Sequence, residues 1–365
     1  MPAPSQASLL KELDLLVSTG LGVAPIAPAL SNLLSKIIGA DAGGMCWFSE
    51  TGMPEGFYQS AAPREAEELF MNHYEELFVG PHEYTPFWSV RNRGRGVGNA
   101  LLASREYFRS NTYNLLIKPS NCHFLLDALV ELDGVTRLTA CFFRSAENPF
   151  TEFDAKKLVT MVPVLRRAVG KRPNALVCQS AKAEGGYMLI SEDGSQMEMI
   201  DAPANQLLTT VKLFDQNVSL SGRSVGPPRF VQLLCEQIRQ QSLASAKTEI
   251  DLAGGTLTVT ASWMAAAPDA VPATLPGPPA KKILVSLQFR QAGAIELVRS
   301  ISAWGLSPLQ GRIAMYAAAG GSRVGCALHH RVSKEALKKH LREIYGASHA
   351  ANWDELSAML EATSA

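Results

Sequence analysis

The strongest helix-start signal in the chain lies at residues 307–310, Ser-Pro-Leu-Gln. Serine is a preferred N-cap, proline suits the first helical position, and glutamine three residues after the cap closes a capping box. Gly320 and Gly321 are expected to end this helix. Three more short helices are predicted at 322–329, 333–345 and 353–361. The segment 305–365 is therefore predicted to be a small all-helical domain.

The third of these helices has one apolar side and one basic side. Leu337, Leu341 and Ile344 follow the spacing i, i+4 and i+7, which predicts a stripe packed on the neighbouring helices. The charged residues away from this stripe are Lys334, Glu335, Lys338, Lys339 and Arg342. On an isolated helix, a solvated surface is the usual explanation of such charges. A surface that binds nucleic acid is the alternative.

Four short helices with a basic third helix resemble the LuxR-type (FixJ/NarL-like) helix-turn-helix tail. The family's Leu-Ser/Thr-Pro opening matches 306–308, its Thr-Val-Lys-x-His signature matches 336–340, and its Leu-x-x-Ile-Tyr pattern matches 341–345. The resemblance implies that the third helix enters the DNA major groove. Lys338 is then the first candidate for a DNA contact. Lys334 and Glu335 stand where bases are read, and Lys339 and Arg342 where phosphates are bound.

Three residues depart from the family's pattern. Gly311 stands where an acidic residue is usual, Gly325 where glutamate is common, and His330 where a core leucine is expected. A glycine inside a helix costs about 1 kcal/mol relative to alanine, and a buried imidazole needs a polar partner. Two functions are consistent with this divergence. The segment binds DNA, or it has lost strong DNA binding and acts as a protein-interaction adaptor.

The first 170 residues alternate helices and strands. Predicted helices cover 8–17, 26–38 and 64–77, and predicted strands cover 44–49, 56–59, 124–131 and 135–143. Asp133 and Gly134 indicate a hairpin turn, and Thr151 with Asp154 predicts a capped closing helix. This order, with the stretch 148–154, resembles a GAF-type sensor domain.

Residues 175–292 are predicted to form a second α+β domain. A hairpin at 187–200 precedes helices at 204–213 and 229–241, and strands at 248–252, 256–263 and 283–289 complete it. The pattern resembles a PAS-type domain with a proline-rich insertion at 265–279. The fold class is thus two α+β sensor domains, GAF-like then PAS-like, followed by an all-α four-helix domain.

Composition limits the class of protein. Lys plus Arg equals Asp plus Glu at 34 each, so a protein that coats nucleic acid indiscriminately is excluded. No apolar run long enough for a membrane span and no secretory signal are present, which predicts a cytoplasmic chain. The six cysteines are scattered, which favours reduced thiols over disulfides or zinc. We expect no metal and no cofactor.

Weaker signals have plain structural explanations. Residues 222–226 match the G-x-S-x-G motif but lack a good preceding strand, so a turn is favoured over a catalytic serine. The arginine-rich stretch 91–98 is either a surface loop or an anion-binding loop. A group of aromatic residues either lines an effector pocket or forms the core: Trp47, Phe48, Tyr58, Phe87, Trp88, Tyr107, Tyr113 and Phe124.

These observations predict a transcriptional regulator that binds double-stranded DNA as a homodimer, and not an enzyme. A small-molecule effector of the N-terminal region would act by binding two conformations of the protein with different affinity. The rival functions are the adaptor and a small-molecule enzyme that uses Ser224.

Overall fold

The computed structural model describes residues 5–60, 62–92, 94–102, 105–170, 179–210, 226–264 and 281–364. The helices are α1 (Gln6–Ser18), α2 (Val23–Ile38), α3 (Arg64–Asn72), α4 (Tyr74–Leu77), α5 (Pro86–Asn92), α6 (Glu152–Val169), α7 (Ala202–Thr210), α8 (Arg229–Gln240), α9 (Ala294–Ala303), α10 (Pro308–Ala318), α11 (Arg323–His329), α12 (Lys334–Ser348) and α13 (Trp353–Ser364). The strands are β1 (Ala42–Phe48), β2 (Pro54–Gln59), β3 (Phe124–Leu132), β4 (Val135–Arg144), β5 (Gln179–Ile190), β6 (Met197–Ile200), β7 (Ser245–Leu252), β8 (Gly255–Met264) and β9 (Lys282–Ala292).

The first four strands form an antiparallel sheet in the order β2-β1-β4-β3. Asp133 and Gly134 join β3 to β4 with φ angles of 52° and 77°. A two-residue turn of type I′ requires positive φ at both central positions, which an Asp-Gly pair tolerates. The predicted hairpin is confirmed, with Leu132 paired to Val135 across the turn.

Both faces of this sheet are covered. Successive residues of a strand point to opposite faces, so Met45 and Trp47 join a core with α1, α2 and α6. Cys46 and Phe48 point the other way, into a second core with α3, α5 and the π-helix Thr112–Ile117. The sheet is therefore the middle layer of the first domain.

Arg144, the last residue of β4, connects the sheet to two helices. Its buried guanidinium lies 3.0 Å from the Oδ1 atom of Asp154 on α6. It also donates to the carbonyls of Ile38 and Gly39 at the end of α2, at 2.8 Å each. The Phe150 ring centroid lies 4.1 Å from its Cζ atom. Because the last carbonyls of a helix have no partner within it, Arg144 satisfies groups that burial would otherwise leave unbonded.

The second sheet is also antiparallel, in the order β6-β5-β9-β8-β7. Helix α8 buries Val231, Leu234, Cys235 and Ile238, which recur at i, i+3, i+4 and i+7. These side chains form one core with the sheet and with part of α7. The last strand lies between β5 and β8, so this domain is completed only by the residues after the proline-rich stretch.

The C-terminal helices share a core with α1. Leu13 and Leu16 of α1 lie in one continuous buried cluster with Ile301 of α9, Ile313 of α10 and Leu341 of α12.

An ion-pair cluster follows the same contact. The Asp14 carboxylate lies 2.8 Å from Arg167 of α6 and 2.7 Å from Arg312 of α10. The first helix of the chain thus bridges the first domain and the last helices.

Several predicted boundaries were wrong. The helix predicted at 64–77 is broken at His73, whose φ of −125° is not helical. Strand β5 begins at Gln179, earlier than predicted, and α12 continues to Ser348 rather than ending at 345. Helix α7 is described only to Thr210, and residues 211–213 and 265–279 lie outside the described residues.

The fold class is shown at the level of mixed α/β structure with two antiparallel sheets. In the part of the chain that the structure describes, no helix is both long and apolar enough to cross a membrane.

Candidate nucleic-acid interface

Two capped helices flank a short turn at residues 330–333. The Ser322 hydroxyl accepts a hydrogen bond from the Gly325 amide at 3.1 Å, at the start of α11. The Ser333 hydroxyl accepts one from the Ala336 amide, also at 3.1 Å, at the start of α12. Because such caps satisfy N–H groups that have no partner within the helix, the start of each helix is fixed.

The apolar stripe of α12 is buried as predicted. Leu337 and Leu341 are each 2% exposed and Ile344 is fully buried. All three belong to the core shared with α1. The opposite side of α12 therefore faces outward.

All five charged residues selected from the sequence lie on that outward side. The structure describes each of them as exposed: Lys334, Glu335, Lys338, Lys339 and Arg342. Two further exposed cations border this surface, Arg323 at the start of α11 and Arg331 in the turn. Sequence reasoning did not select these two because it was confined to the basic helix. The position of Arg331, two residues before the first residue of α12, was the available signal.

Gln310 ties α10 to α12. Its Oε1 atom accepts from the Ser307 amide at 2.8 Å, which completes the predicted capping box. Its Nε2 atom donates to the Glu343 carboxylate on α12. Glu343 is thereby held at the junction of the two helices, beside the cationic surface.

The two glycine departures have packing explanations. A Cβ on Gly311 would lie 2.7 Å from the Leu15 Cδ2 atom, so α10 approaches α1 closely at this point. A Cβ on Gly325 would lie 2.6 Å from the Tyr316 hydroxyl. Both distances are shorter than normal carbon contacts. The lack of a side chain therefore permits close packing at each position.

His330 stands where the resemblance predicted a core leucine. The side chain is half-buried, and its Nε2 atom is buried without a hydrogen-bond partner among the described residues. Burial, reinforced by His329 and Arg312, lowers the pKa of His330 to about 4. Protonation in the folded state is therefore disfavoured.

Replacing His330 should reduce the acid sensitivity of the protein. Unfolded histidine has a pKa of about 6.5, so below that pH the unfolded chain binds a proton that the folded chain does not. Stability is then lost as the pH falls from about 6.5 to about 4. Because the ring is partly solvated, screening reduces the loss to about 1–2 kcal/mol. His330→Leu should remove it, as measured by urea unfolding at several pH values.

The matched control is His82→Asn, at an exposed histidine of the first domain. It should retain the pH dependence of the unmodified protein. Identical pH profiles for His330→Leu and the unmodified protein would contradict the prediction.

A cavity of about 60 Å³ lies in the first domain, between the sheet and α3. Its lining includes Cys46, Phe57, Phe70 and Cys141, and burial raises the pKa of both thiols, so they stay uncharged. Ligand pockets usually enclose about 300–1,000 Å³. In this conformation the cavity is too small for a typical effector.

The aromatic residues considered as a pocket lining mostly form core. Of the eight, only Tyr58 lines this cavity. Phe48, Tyr107 and Tyr113 are buried in the second core of the first domain, and Trp47 lies on the opposite face of the sheet.

The remaining sequence signals form no second site. Arg95 binds both carboxylate oxygens of Glu152 at 2.8 Å, so it is engaged by the fold. The motif at 222–226 lies outside the described residues except for its last glycine. Among the residues that the structure describes, no three His, Cys, Asp or Glu side chains are grouped to hold a metal ion.

No family model and no curated protein matches the chain. Three solved structures align weakly over most of it. They are the E. coli DhaR(N)-DhaL complex (14% identity, 79% of this chain and 90% of that chain, TM-score 0.21), the sensor region of a sensor histidine kinase (11%, 71% and 91%, 0.18), and the ligand-binding domain of the Pseudomonas fluorescens chemoreceptor CtaA in complex with L-leucine (14%, 79% and 89%, 0.16). TM-scores this low carry no argument about fold or function.

Proposed function

We propose that this chain is a DNA-binding transcriptional regulator in which α11, the following turn and α12 form a LuxR-type helix-turn-helix. The observation that carries the proposal is the two-sided character of α12. Its leucine and isoleucine stripe is buried, while its four cations and Glu335 are exposed on the other side. A helix held by one face and basic on the other is suited to lie against a phosphate backbone.

The dimensions of α12 fit the DNA major groove. Its 15 residues give a length of about 22 Å, and the groove is wide enough to admit a helix. Lys334 and Glu335 occupy the N-terminal end, from which this class of helix reads base edges. Lys338, Lys339 and Arg342 follow along the helix and are assigned to phosphates.

The neutral net charge agrees with a local contact rather than general coating. Glu343 is bonded to Gln310, and Glu335 is the other carboxylate of α12. The four cations of the helix therefore outnumber its two carboxylates, and one of those is already engaged.

We assign the two sheet domains a regulatory role and the whole protein a dimeric state. A single module of this size contacts few base pairs, and two half-sites give useful specificity. The cavity in the first domain is the candidate site for a small-molecule effector, provided that it opens beyond its present volume.

Lys338→Ala should weaken DNA binding about equally on all sequences. Removing one phosphate contact reduces the slope of log affinity against log salt by about 0.9 per protomer. The measurement is a titration of the full chain with a pool of random-sequence duplexes at several salt concentrations. Lys156→Ala, at an exposed lysine of α6, is the matched control and should leave the slope unchanged.

Lys334→Ala and Glu335→Ala should act selectively on duplexes chosen from the pool by repeated binding. Loss of a base contact costs about 1–3 kcal/mol on such sequences.

One observation favours the adaptor as a second candidate. Val324 and Leu328 lie one turn apart on α11 and are 66% and 76% exposed. Exposed apolar pairs of this kind also occur at protein interfaces. A folded Lys338→Ala variant with unchanged DNA affinity and salt slope would reject DNA binding and support the adaptor.

A further inference from the structure

Arg331 has a backbone conformation that is unusual for its residue type. Its φ angle is 53°, in the left-handed region. The other described residues outside glycine with positive φ are Asn121, Asp133, Ser242 and His349. Asparagine, aspartate and histidine are the residue types that tolerate this region, and a short serine is less crowded than arginine. Arg331 is the only long aliphatic-stemmed side chain among them.

The hydrogen bonds explain why the left-handed conformation is required. The Arg331 amide donates to the Leu328 carbonyl at 3.2 Å, and the Val332 amide donates to the Ala327 carbonyl at 3.0 Å. This pair of bonds is a Schellman motif, and Arg331 occupies the position that usually holds glycine. The motif ends α11 and directs the chain into α12.

The same chain provides an internal comparison at the end of α10. There the Gly320 amide donates to the Ala317 carbonyl at 3.0 Å, and the Gly321 amide donates to the Tyr316 carbonyl at 3.2 Å. The hydrogen-bond pattern is identical, and the left-handed residue is Gly320, with φ of 71°. Glycine therefore serves one helix end, and arginine serves the equivalent position beside α12.

The Arg331 side chain does not recover the backbone cost within the fold. It is exposed, and no carboxylate of the described residues pairs with it. Residues held in costly conformations without an internal compensation point to function. Its neighbours Lys334 and Lys338 already define a cationic surface, and its guanidinium extends that surface across the turn.

We propose that Arg331 binds a DNA backbone phosphate at the edge of the site read by α12. This inference rests on the proposed function. A guanidinium binds two phosphate oxygens at once and stays charged at any physiological pH. An arginine at this position gains a contact that glycine cannot make, at the expense of local backbone strain.

Arg331→Gly separates the two effects because it relieves the backbone and removes the cation. We expect the thermal midpoint to rise by about 1–2 °C. The affinity for random-sequence duplexes at about 0.15 M salt should fall about fivefold, and the salt slope should decrease by about 0.9 per protomer. Arg331→Ala should lose affinity to the same extent without the gain in midpoint. Arg331→Lys should retain the salt slope.

The outcome distinguishes this inference from the proposed function. If Lys338→Ala reduces the salt slope while Arg331→Gly leaves affinity and slope unchanged, the phosphate contact is rejected and DNA binding stands. If neither variant changes DNA binding, the proposed function fails as well. Because Arg331→Gly is expected to be more stable than the unmodified protein, a loss of affinity cannot be attributed to unfolding.

Discussion

Arg144→Met should destabilise the first domain by about 3–5 kcal/mol, the cost of breaking a buried ion pair by removing one partner. The substitution keeps an unbranched side chain but removes every donor. It leaves the Asp154 carboxylate without its cation, and the carbonyls of Ile38 and Gly39 without their donors. Urea unfolding followed by circular dichroism measures the loss.

The chain offers a matched control on the same helix. Arg95 also binds a carboxylate of the first turn of α6 with two hydrogen bonds, but its partner Glu152 is exposed. Surface pairs of this kind contribute little, so Arg95→Met should change the unfolding midpoint only slightly. Similar effects of the two variants would show that burial of Arg144 is not the cause.

Leu341→Ala should cost about 2–5 kcal/mol and abolish DNA binding by releasing α12 from its neighbours. Leu341 is 2% exposed and lies in the core shared with α1. The loss should therefore also destabilise contacts of the first helix, and should be visible as a lower thermal midpoint of the whole chain. Circular dichroism and DNA titration of the same preparation test both effects.

Arg342→Ala is the control one residue further along α12. Its side chain is exposed, so the thermal midpoint should be unchanged while the salt slope of DNA binding decreases. A Leu341→Ala protein with a normal midpoint and no DNA binding would show instead that Leu341 has a direct role at the interface.

Local signals predicted much of this structure. The capping boxes at Ser307 and Thr151 and the turn at Asp133 each depend on residues within a few positions of one another. The five candidate DNA contacts were also accessible to sequence reasoning, because helical periodicity alone separates an apolar side from a charged side. Their exposure agrees with that pattern, and their contact with DNA stays a prediction.

Long-range contacts were not predictable in the same way. The approach of Gly311 to Leu15 and the ion pair of Asp14 with Arg312 join residues about 300 positions apart. No local preference records such a contact, and both glycines of the C-terminal helices looked like simple losses of helix stability. The break at His73 was missed for a related reason, since the apolar and acidic pattern continues across it.

The core shared by α1 and the C-terminal helices has a consequence for the newly made chain. Leu13 and Leu16 leave the ribosome first, whereas their partners Ile301 and Ile313 are synthesised roughly 280 residues later. At about 5–20 residues per second, the apolar side of α1 waits about 15–60 s for its final neighbours. During that interval it is a binding site for chaperones or for other nascent chains. Expression at reduced temperature or with added chaperones should therefore improve the yield of soluble full-length protein, and chains that end before α9 should aggregate.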